Sequence, residues 1–110
     1  METTKFEIGK IYASKRGYGC GYDRIEHLNC YQIMKRTAKT ATVRVATFLT
    51  ENFGKVMPVP TDTDIINKIN KSDIGFNVRI TLDSTGAELF KDNTYADPEY
   101  VFIKYCRVIG

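Results

Sequence analysis

Alternation of apolar and polar residues is clearest between residues 76 and 83. Phe76, Val78, Ile80 and Leu82 occupy every second position there, and polar residues lie between them. This period of two predicts a β-strand with one buried face, because successive side chains of a strand point to opposite sides. Shorter apolar runs occur at 5–14, 28–36, 40–49, 87–90 and 100–109. The chain is therefore predicted to contain five or six short strands.

Residues 37–39 are polar or small and separate two of these runs, which predicts a hairpin with a short connection. Thr42 and Arg44 of its second strand are expected to point outward. Three apolar residues of that strand are expected to point inward: Val43, Val45 and Leu49. The last apolar run is too hydrophobic for a solvated edge, so it is expected to complete the sheet beside the first or second strand.

Glycine recurs at every second position from Gly17 to Gly21, a spacing that predicts an irregular loop over 15–27. A short helix is predicted further along, where Thr61 is followed three residues later by Asp64, as in a capping box. Gly75 is placed to end this helix. Three isoleucines are expected to share its apolar face: Ile65, Ile66 and Ile69.

Together these elements predict a single, mostly β domain over residues 1–110, of the α+β class. We expect an SH3-like barrel or a strongly bent antiparallel sheet with one short helix. Hydrophobic residues make up 43% of the 110 residues and charged residues 26%, which is typical of a globular protein. No apolar run approaches the roughly 20 residues that cross a bilayer, and the first residues are polar. We therefore expect a cytoplasmic protein that does not interact with a membrane.

The three cysteines and the single histidine form the first candidate site. Cytosolic thiols stay reduced, and an odd number of them does not pair completely, so disulfides explain the cysteines poorly. Three thiolates and one imidazole are a standard ligand set for structural zinc. The predicted ligands are Cys20, His27, Cys30 and Cys106. The alternative is that Cys30 and Cys106 are small core residues, because free cysteine is commonly buried.

Charge is distributed unevenly along the chain. Residues 1–44 hold nine Lys/Arg against four Asp/Glu, a net charge of +5, and residues 45–110 hold seven against nine, a net charge of −2. Four cations surround the predicted hairpin turn and could contact phosphates: Lys35, Arg36, Lys39 and Arg44. The alternative is a solvated hairpin end whose charges prevent strand association. Four tyrosines could stack with bases or form the rim of a small core: Tyr12, Tyr18, Tyr22 and Tyr31.

The sequence gives no support to an enzyme. One histidine does not serve both as a zinc ligand and as a general base, and no Gly-x-Ser-x-Gly, P-loop or dinucleotide-binding fingerprint occurs. Asp62 and Asp64 are explained as residues that favour the start of a helix. No catalytic residue and no small-molecule substrate are predicted.

The segment YQIMKRTAKTATVRV, together with FEIGKIY, resembles a group of short proteins of tailed phages and other bacterial mobile elements. In that group a KRTAKT-like hairpin follows a first strand with the sequence GKxY. The similarity extends to about residue 45 and carries over no functional residue. Because such phage domains frequently block a host defence nuclease, the resemblance implies an anti-CRISPR protein that inhibits Cas9 by stoichiometric binding in the bacterial host cell.

An inhibitor with a net charge of +3 is not a DNA mimic over its whole surface, so it would bind its partner through a local patch. The candidate acidic patch consists of Asp83, Glu88, Asp92, Asp97 and Glu99. The alternative function is a small nucleic-acid-binding β-barrel that uses the basic hairpin.

Overall fold

The structure is a computed structural model that describes residues 4–72, 75–93 and 98–109. Within these ranges the chain forms eight strands and one α-helix. They are β1 (Ile11–Tyr18), β2 (Ile25–Arg36), β3 (Thr40–Asn52), β4 (Lys55–Val56), α1 (Asp62–Lys71), β5 (Gly75–Leu82), β6 (Glu88–Asp92), β7 (Glu99–Phe102) and β8 (Arg107–Ile109). Two 3-10 turns, Gly21–Asp23 and Ile103–Tyr105, precede β2 and β8.

The strands form one antiparallel sheet in the order β7-β6-β5-β3-β2-β1-β8, and β4 pairs with β3 at the side. The sheet is strongly curled into a half-barrel, which confirms the mostly β, strongly bent architecture with one short helix. Its two edge strands, β7 and β8, follow each other in the chain and are joined by residues 103–106. The apolar run at 100–109 is therefore not one strand, as expected, but two strands at opposite ends of the sheet. Its predicted place beside the first or second strand is confirmed for β8, which pairs with β1. The expectation that this run is too hydrophobic for an edge is wrong, because β7 and β8 are the two edge strands of the sheet.

Two hydrophobic clusters lie on the two sides of the curled sheet. The concave side holds Phe6, Tyr12, Tyr31, Ile33, Val43, Phe90 and Val101 among others. The convex side of β1, β2 and β3 holds a second cluster, which α1 covers with Ile65 and Ile69, both fully buried. Burying a side chain of this size contributes about 1.5–3 kcal/mol. The helix therefore protects one part of the convex side from water and leaves the part formed by β5, β6 and β7 without such a cover.

The hairpin of β2 and β3 confirms the central prediction from the sequence. Thr37 begins the turn, where its amide donates to the Thr40 carbonyl at 2.8 Å and its hydroxyl bonds that of Thr40 at 2.8 Å. Val43 and Val45 are buried as expected. Leu49 lies on the same side of β3 as Val43 and Val45, as predicted, but it is 37% exposed because it lies towards the end of the strand beyond the concave core.

The predicted loop over 15–27 is wrong at both ends. β1 continues to Tyr18 and β2 begins at Ile25, and the two strands pair along this length. Gly17 is paired with Glu26 in extended conformation, whereas Gly19 (φ 81°) and Gly21 (φ 61°) adopt the left-handed backbone that a turn requires. Cross-strand pairing therefore outweighs the cost of fixing one glycine, and only the two glycines in the turn behave as predicted.

The helix begins as predicted. The Thr61 hydroxyl accepts a hydrogen bond from the Asp64 amide at 3.2 Å, and the Asp64 carboxylate accepts one from the Thr61 amide at 3.1 Å. Ile66 is 37% exposed, so the shared apolar face is narrower than predicted. The helix ends at Lys71, and Gly75 is instead the first residue of β5. No α-helix in the described ranges is long and apolar enough to cross a membrane.

Candidate nucleic-acid interface

Strand pairing sorts the charges of the sheet between its two sides. Lys35 faces Thr42 across the hairpin, and Thr42 in turn faces Asn77 of β5. Arg79 lies opposite Thr40, and Lys91 lies opposite Tyr100. These residues alternate with the buried residues of the concave core, so their side chains point away from it.

We call the resulting surface the outer basic face and define it by Lys35, Lys39, Arg44, Arg79 and Lys91. Lys39 lies in the hairpin turn, and Arg44 lies opposite Gln32 on the outward side of β3. All are exposed except Arg44, which is half-buried. Within residues 4–72, 75–93 and 98–109, none of the five forms an ion pair with a carboxylate. Their charge is therefore available to an anionic ligand.

The carboxylates of β6 and β7 point the other way. Glu88 is 4% exposed and accepts from both Nη atoms of Arg36, each at 2.7 Å, and from the Phe6 amide at 2.6 Å. Burial by itself raises the pKa of Glu88, but the hydrogen bonds from Arg36 and Phe6 outweigh it and lower the pKa. This pair joins β6 to β2 across the concave side and fixes the segment before β1.

Two further inward carboxylates also bond residues of β2. Asp92 is 1% exposed and accepts from the Tyr31 hydroxyl at 2.7 Å. Glu99 accepts from the Asn29 side-chain amide at 3.0 Å. Burial raises the pKa of Glu99, and Arg16 and Asn29 oppose the rise. These bonds join β6 and β7, at one end of the strand order, to β2 across the concave side, and their carboxylates face the interior.

The acidic patch expected from the sequence is therefore corrected. Glu88 and Asp92 are buried and bonded within the fold, and Glu99 faces inward. Asp83 forms an ion pair with Lys104 at 3.0 Å, and hydrogen bonds from Thr85 and Lys104 hold its pKa well below its usual range. Asp97 lies outside the described residues. Arg36 is likewise removed from the predicted basic patch, because its guanidinium is paired with the Glu88 carboxylate inside the fold.

The four predicted zinc ligands lie in different environments. Cys20 is exposed, just before the 3-10 turn at 21–23. His27 and Cys30 are three residues apart on one strand, so they lie on opposite faces of the sheet. Cys30 is fully buried in the cluster beneath the helix, and Cys106 packs against the concave cluster. In the part of the chain that the structure describes, no three His, Cys, Asp or Glu side chains are grouped to hold a metal ion.

This arrangement does not fit a tetrahedral Cys₃His centre. Burial raises the pKa of the Cys30 thiol to about 11 and that of the Cys106 thiol to about 12, as expected for thiols packed among apolar side chains. The environment of both thiols is that of core residues, and bound zinc stays a prediction from composition that elemental analysis can test.

The four tyrosines that were candidates for stacking are partly buried in the core and partly exposed. Tyr12 and Tyr31 are fully buried, so the stacking interpretation is wrong for both, whereas Tyr18 and Tyr22 are exposed. Sequence reasoning missed the exposed rings of Tyr100 and Tyr105 and the cation Lys91. The alternation in 99–102 contained this signal, because Tyr100 and Phe102 occupy one face of a short strand whose other face holds the buried Val101.

No family model matches the chain, and no curated protein or solved structure matches it either.

Proposed function

We propose that this protein binds nucleic acid through its outer basic face. The observation that supports the proposal is the separation of charge by strand pairing. Lys35, Arg44, Arg79 and Lys91 point outward, while Glu88, Asp92 and Glu99, the carboxylates of β6 and β7, point inward. A surface on which the described residues place cations and no carboxylate among them is complementary to a phosphate backbone.

The outer basic face predicts a measurable dependence on salt. Each phosphate that a cation neutralises releases condensed counterions, with a slope of log K against log salt of about −0.9 per contact on duplex DNA and about −0.7 on single strands. Five cations therefore allow a slope no steeper than about −4.5 on a duplex. Weak binding at physiological salt and much tighter binding at low salt are expected.

Fluorescence anisotropy of labelled oligonucleotides, measured over a series of salt concentrations, tests this proposal. The test variant is Arg79→Gln with Lys91→Gln, which removes two outward cations. The matched control is Lys5→Gln with Lys55→Gln, which removes the same charge from exposed residues outside the outer basic face. The test variant should lower the salt slope by about 1.4–1.8, the equivalent of two phosphate contacts, and weaken binding uniformly across sequences.

The control should bind as the unmodified protein does, apart from the small effect of the changed net charge. Equal losses in both double variants would mean that net charge alone, and no particular face, attracts the nucleic acid. Absence of any binding at low salt would overturn the proposal.

The hypothesis that the protein inhibits Cas9 depends on the resemblance and belongs to a different class of function. A separate binding measurement with Cas9 tests it. Its expected acidic patch loses Glu88 and Asp92 to the interior, so nucleic-acid binding is the function we argue. Size-exclusion chromatography with Cas9 supplies the comparison. A stoichiometric complex with Cas9, without binding of free DNA or RNA, would replace our proposal by that of a protein inhibitor.

A further inference from the structure

Three aromatic rings lie in a row where β7 meets the 3-10 turn before β8. The ring centroids of Tyr100 and Phe102 are 6.3 Å apart, and those of Phe102 and Tyr105 are 5.8 Å apart. Tyr100 is 54% exposed and Tyr105 is 73% exposed, whereas Phe102 is half-buried between them. We call these three residues the aromatic row. Exposed aromatic surface that the fold does not bury is typical of a binding site.

A lysine accompanies each exposed ring of the aromatic row. The Lys91 Nζ atom lies 5.7 Å from the centroid of Tyr100, and the Lys104 Nζ atom lies 5.2 Å from the centroid of Tyr105. Lys104 is also paired with Asp83, at 3.0 Å, so part of its charge is already neutralised. Lys91 has no such ion pair among the described residues, and it supplies the stronger attraction for an anion.

The aromatic row is continuous with the outer basic face. Tyr100 lies opposite Lys91, and Phe102 lies opposite Leu89, so both rings stand on the outward side of the sheet. Arg79 of the neighbouring β5 is on the same side. Cations and aromatic rings therefore share one surface, a combination that binds phosphates and unpaired bases together.

From this juxtaposition we infer that the preferred ligand is a single-stranded nucleic acid, whose bases stack on Tyr100 and Tyr105 while Lys91 and the outer basic face contact its phosphates. The inference depends on the proposed function and adds the strandedness of the ligand. A duplex buries the faces of its bases in its own stack, so it offers phosphates to the cations but no base to the rings. Stacking tolerates any base, because each has a π face, and little sequence preference is expected.

The test compares four ligands of equal length: an oligothymidine, an oligouridine, the oligothymidine duplexed with its complement, and an oligomer of abasic sites. The three single strands carry equal charge, and the duplex carries about twice that charge because it has two phosphate backbones. Affinities are measured by fluorescence anisotropy at one salt concentration. The protein variants are Tyr100→Leu with Tyr105→Leu, and the control Tyr22→Leu, an exposed tyrosine in the turn between β1 and β2. Circular dichroism establishes that each variant is folded.

The unmodified protein should bind both base-bearing single strands about a hundredfold more tightly than the abasic strand, about tenfold for each of the two rings. The double variant should lose about tenfold per ring on the two base-bearing single strands, about 1.4 kcal/mol for each ring, and should bind the abasic strand and the duplex as before. Its salt slope should be unchanged. The Tyr22→Leu control should bind every ligand like the unmodified protein.

Equal affinity for the abasic strand and for oligothymidine would overturn the stacking inference and leave the proposed function intact, because phosphate contacts alone would then explain binding. A preference for the duplex would overturn it as well. Failure to bind any of the four ligands at low salt would instead overturn the proposed function. A protein that binds Cas9 but none of these ligands would overturn both the stacking inference and the proposed function.

Discussion

Replacing Arg36 by alanine should destabilise the fold strongly without weakening nucleic-acid binding by the molecules that remain folded. The guanidinium makes two parallel hydrogen bonds of 2.7 Å to Glu88, and its side chain is 16% exposed against 4% for Glu88. The same guanidinium also donates to the Phe6 carbonyl. Arg36→Ala removes the donors and leaves the Glu88 carboxylate buried without its charge partner.

The size of the effect follows from this burial. Removing one partner of a buried ion pair costs about 3–5 kcal/mol, whereas an exposed pair contributes about 0–1 kcal/mol. A domain of this kind has a total stability of about 5–15 kcal/mol, so the loss is a large part of the whole. Joint replacement, Arg36→Met with Glu88→Gln, should recover part of the loss, because no unpaired charge then remains and the glutamine oxygen still accepts from Phe6.

Urea unfolding followed by far-UV circular dichroism measures these differences. The matched control is Lys35→Ala, the adjacent residue of β2 on the outward side. Lys35→Ala should stay within about 0.5 kcal/mol of the unmodified protein and should weaken nucleic-acid binding, the opposite of Arg36→Ala. A loss below about 1 kcal/mol for Arg36→Ala, the size expected of an exposed pair, would refute the placement of this pair in the interior.

Two other predictions concern thiols and acid sensitivity. Cys30→Ser should lower the free energy of unfolding by about 1–3 kcal/mol, because it buries a hydroxyl that has no hydrogen-bond partner, and Cys30→Val should lower it less. Elemental analysis tests the alternative. Near-stoichiometric zinc in the unmodified protein that is lost in both variants would contradict the core placement of Cys30. The lowered pKa of Asp83 means that its stabilisation is complete above its ordinary pKa of about 4 and is lost as pH falls through its folded-state pKa. Asp83→Asn should therefore flatten the decline of thermal stability in acid below about pH 4, and an unchanged decline would contradict the Asp83–Lys104 pair.

Local signals in the sequence were reliable where a structural feature depends on neighbouring residues. The threonines around residue 37 form the hairpin turn, and Thr61 with Asp64 forms the capping box, because each set of bonds spans three residues. The glycine pattern predicted a loop over 15–27, but β1 continues through Gly17 and pairs there with β2. Pairing of this kind depends on residues outside the window from which a propensity is read.

The candidate sites show the same limit. Composition gave a complete set of zinc ligands, but His27 and Cys30 lie on opposite faces, because β2 begins at Ile25 and includes both residues, which are three positions apart. Composition also gave a group of basic residues and a group of acidic residues, without showing which of these side chains are exposed and free to bind a ligand. Arg36 and Lys35 are adjacent in sequence, yet one is bonded in the interior and the other is exposed.

The sequence by itself determined the strand-rich class, the central hairpin, the start of the helix and the excess of cations in the first 44 residues. Only the tertiary structure decided which charges reach solvent. In 88–92 the apolar residues Leu89 and Phe90 point to opposite faces, so hydrophobicity does not choose the buried side. Glu88 and Asp92 face inward because β2 lies across the concave side and supplies Arg36 and Tyr31 as hydrogen-bond partners. These bonds compensate the cost of burying two carboxylates. Lys91, on the opposite face of β6, is therefore left on the surface.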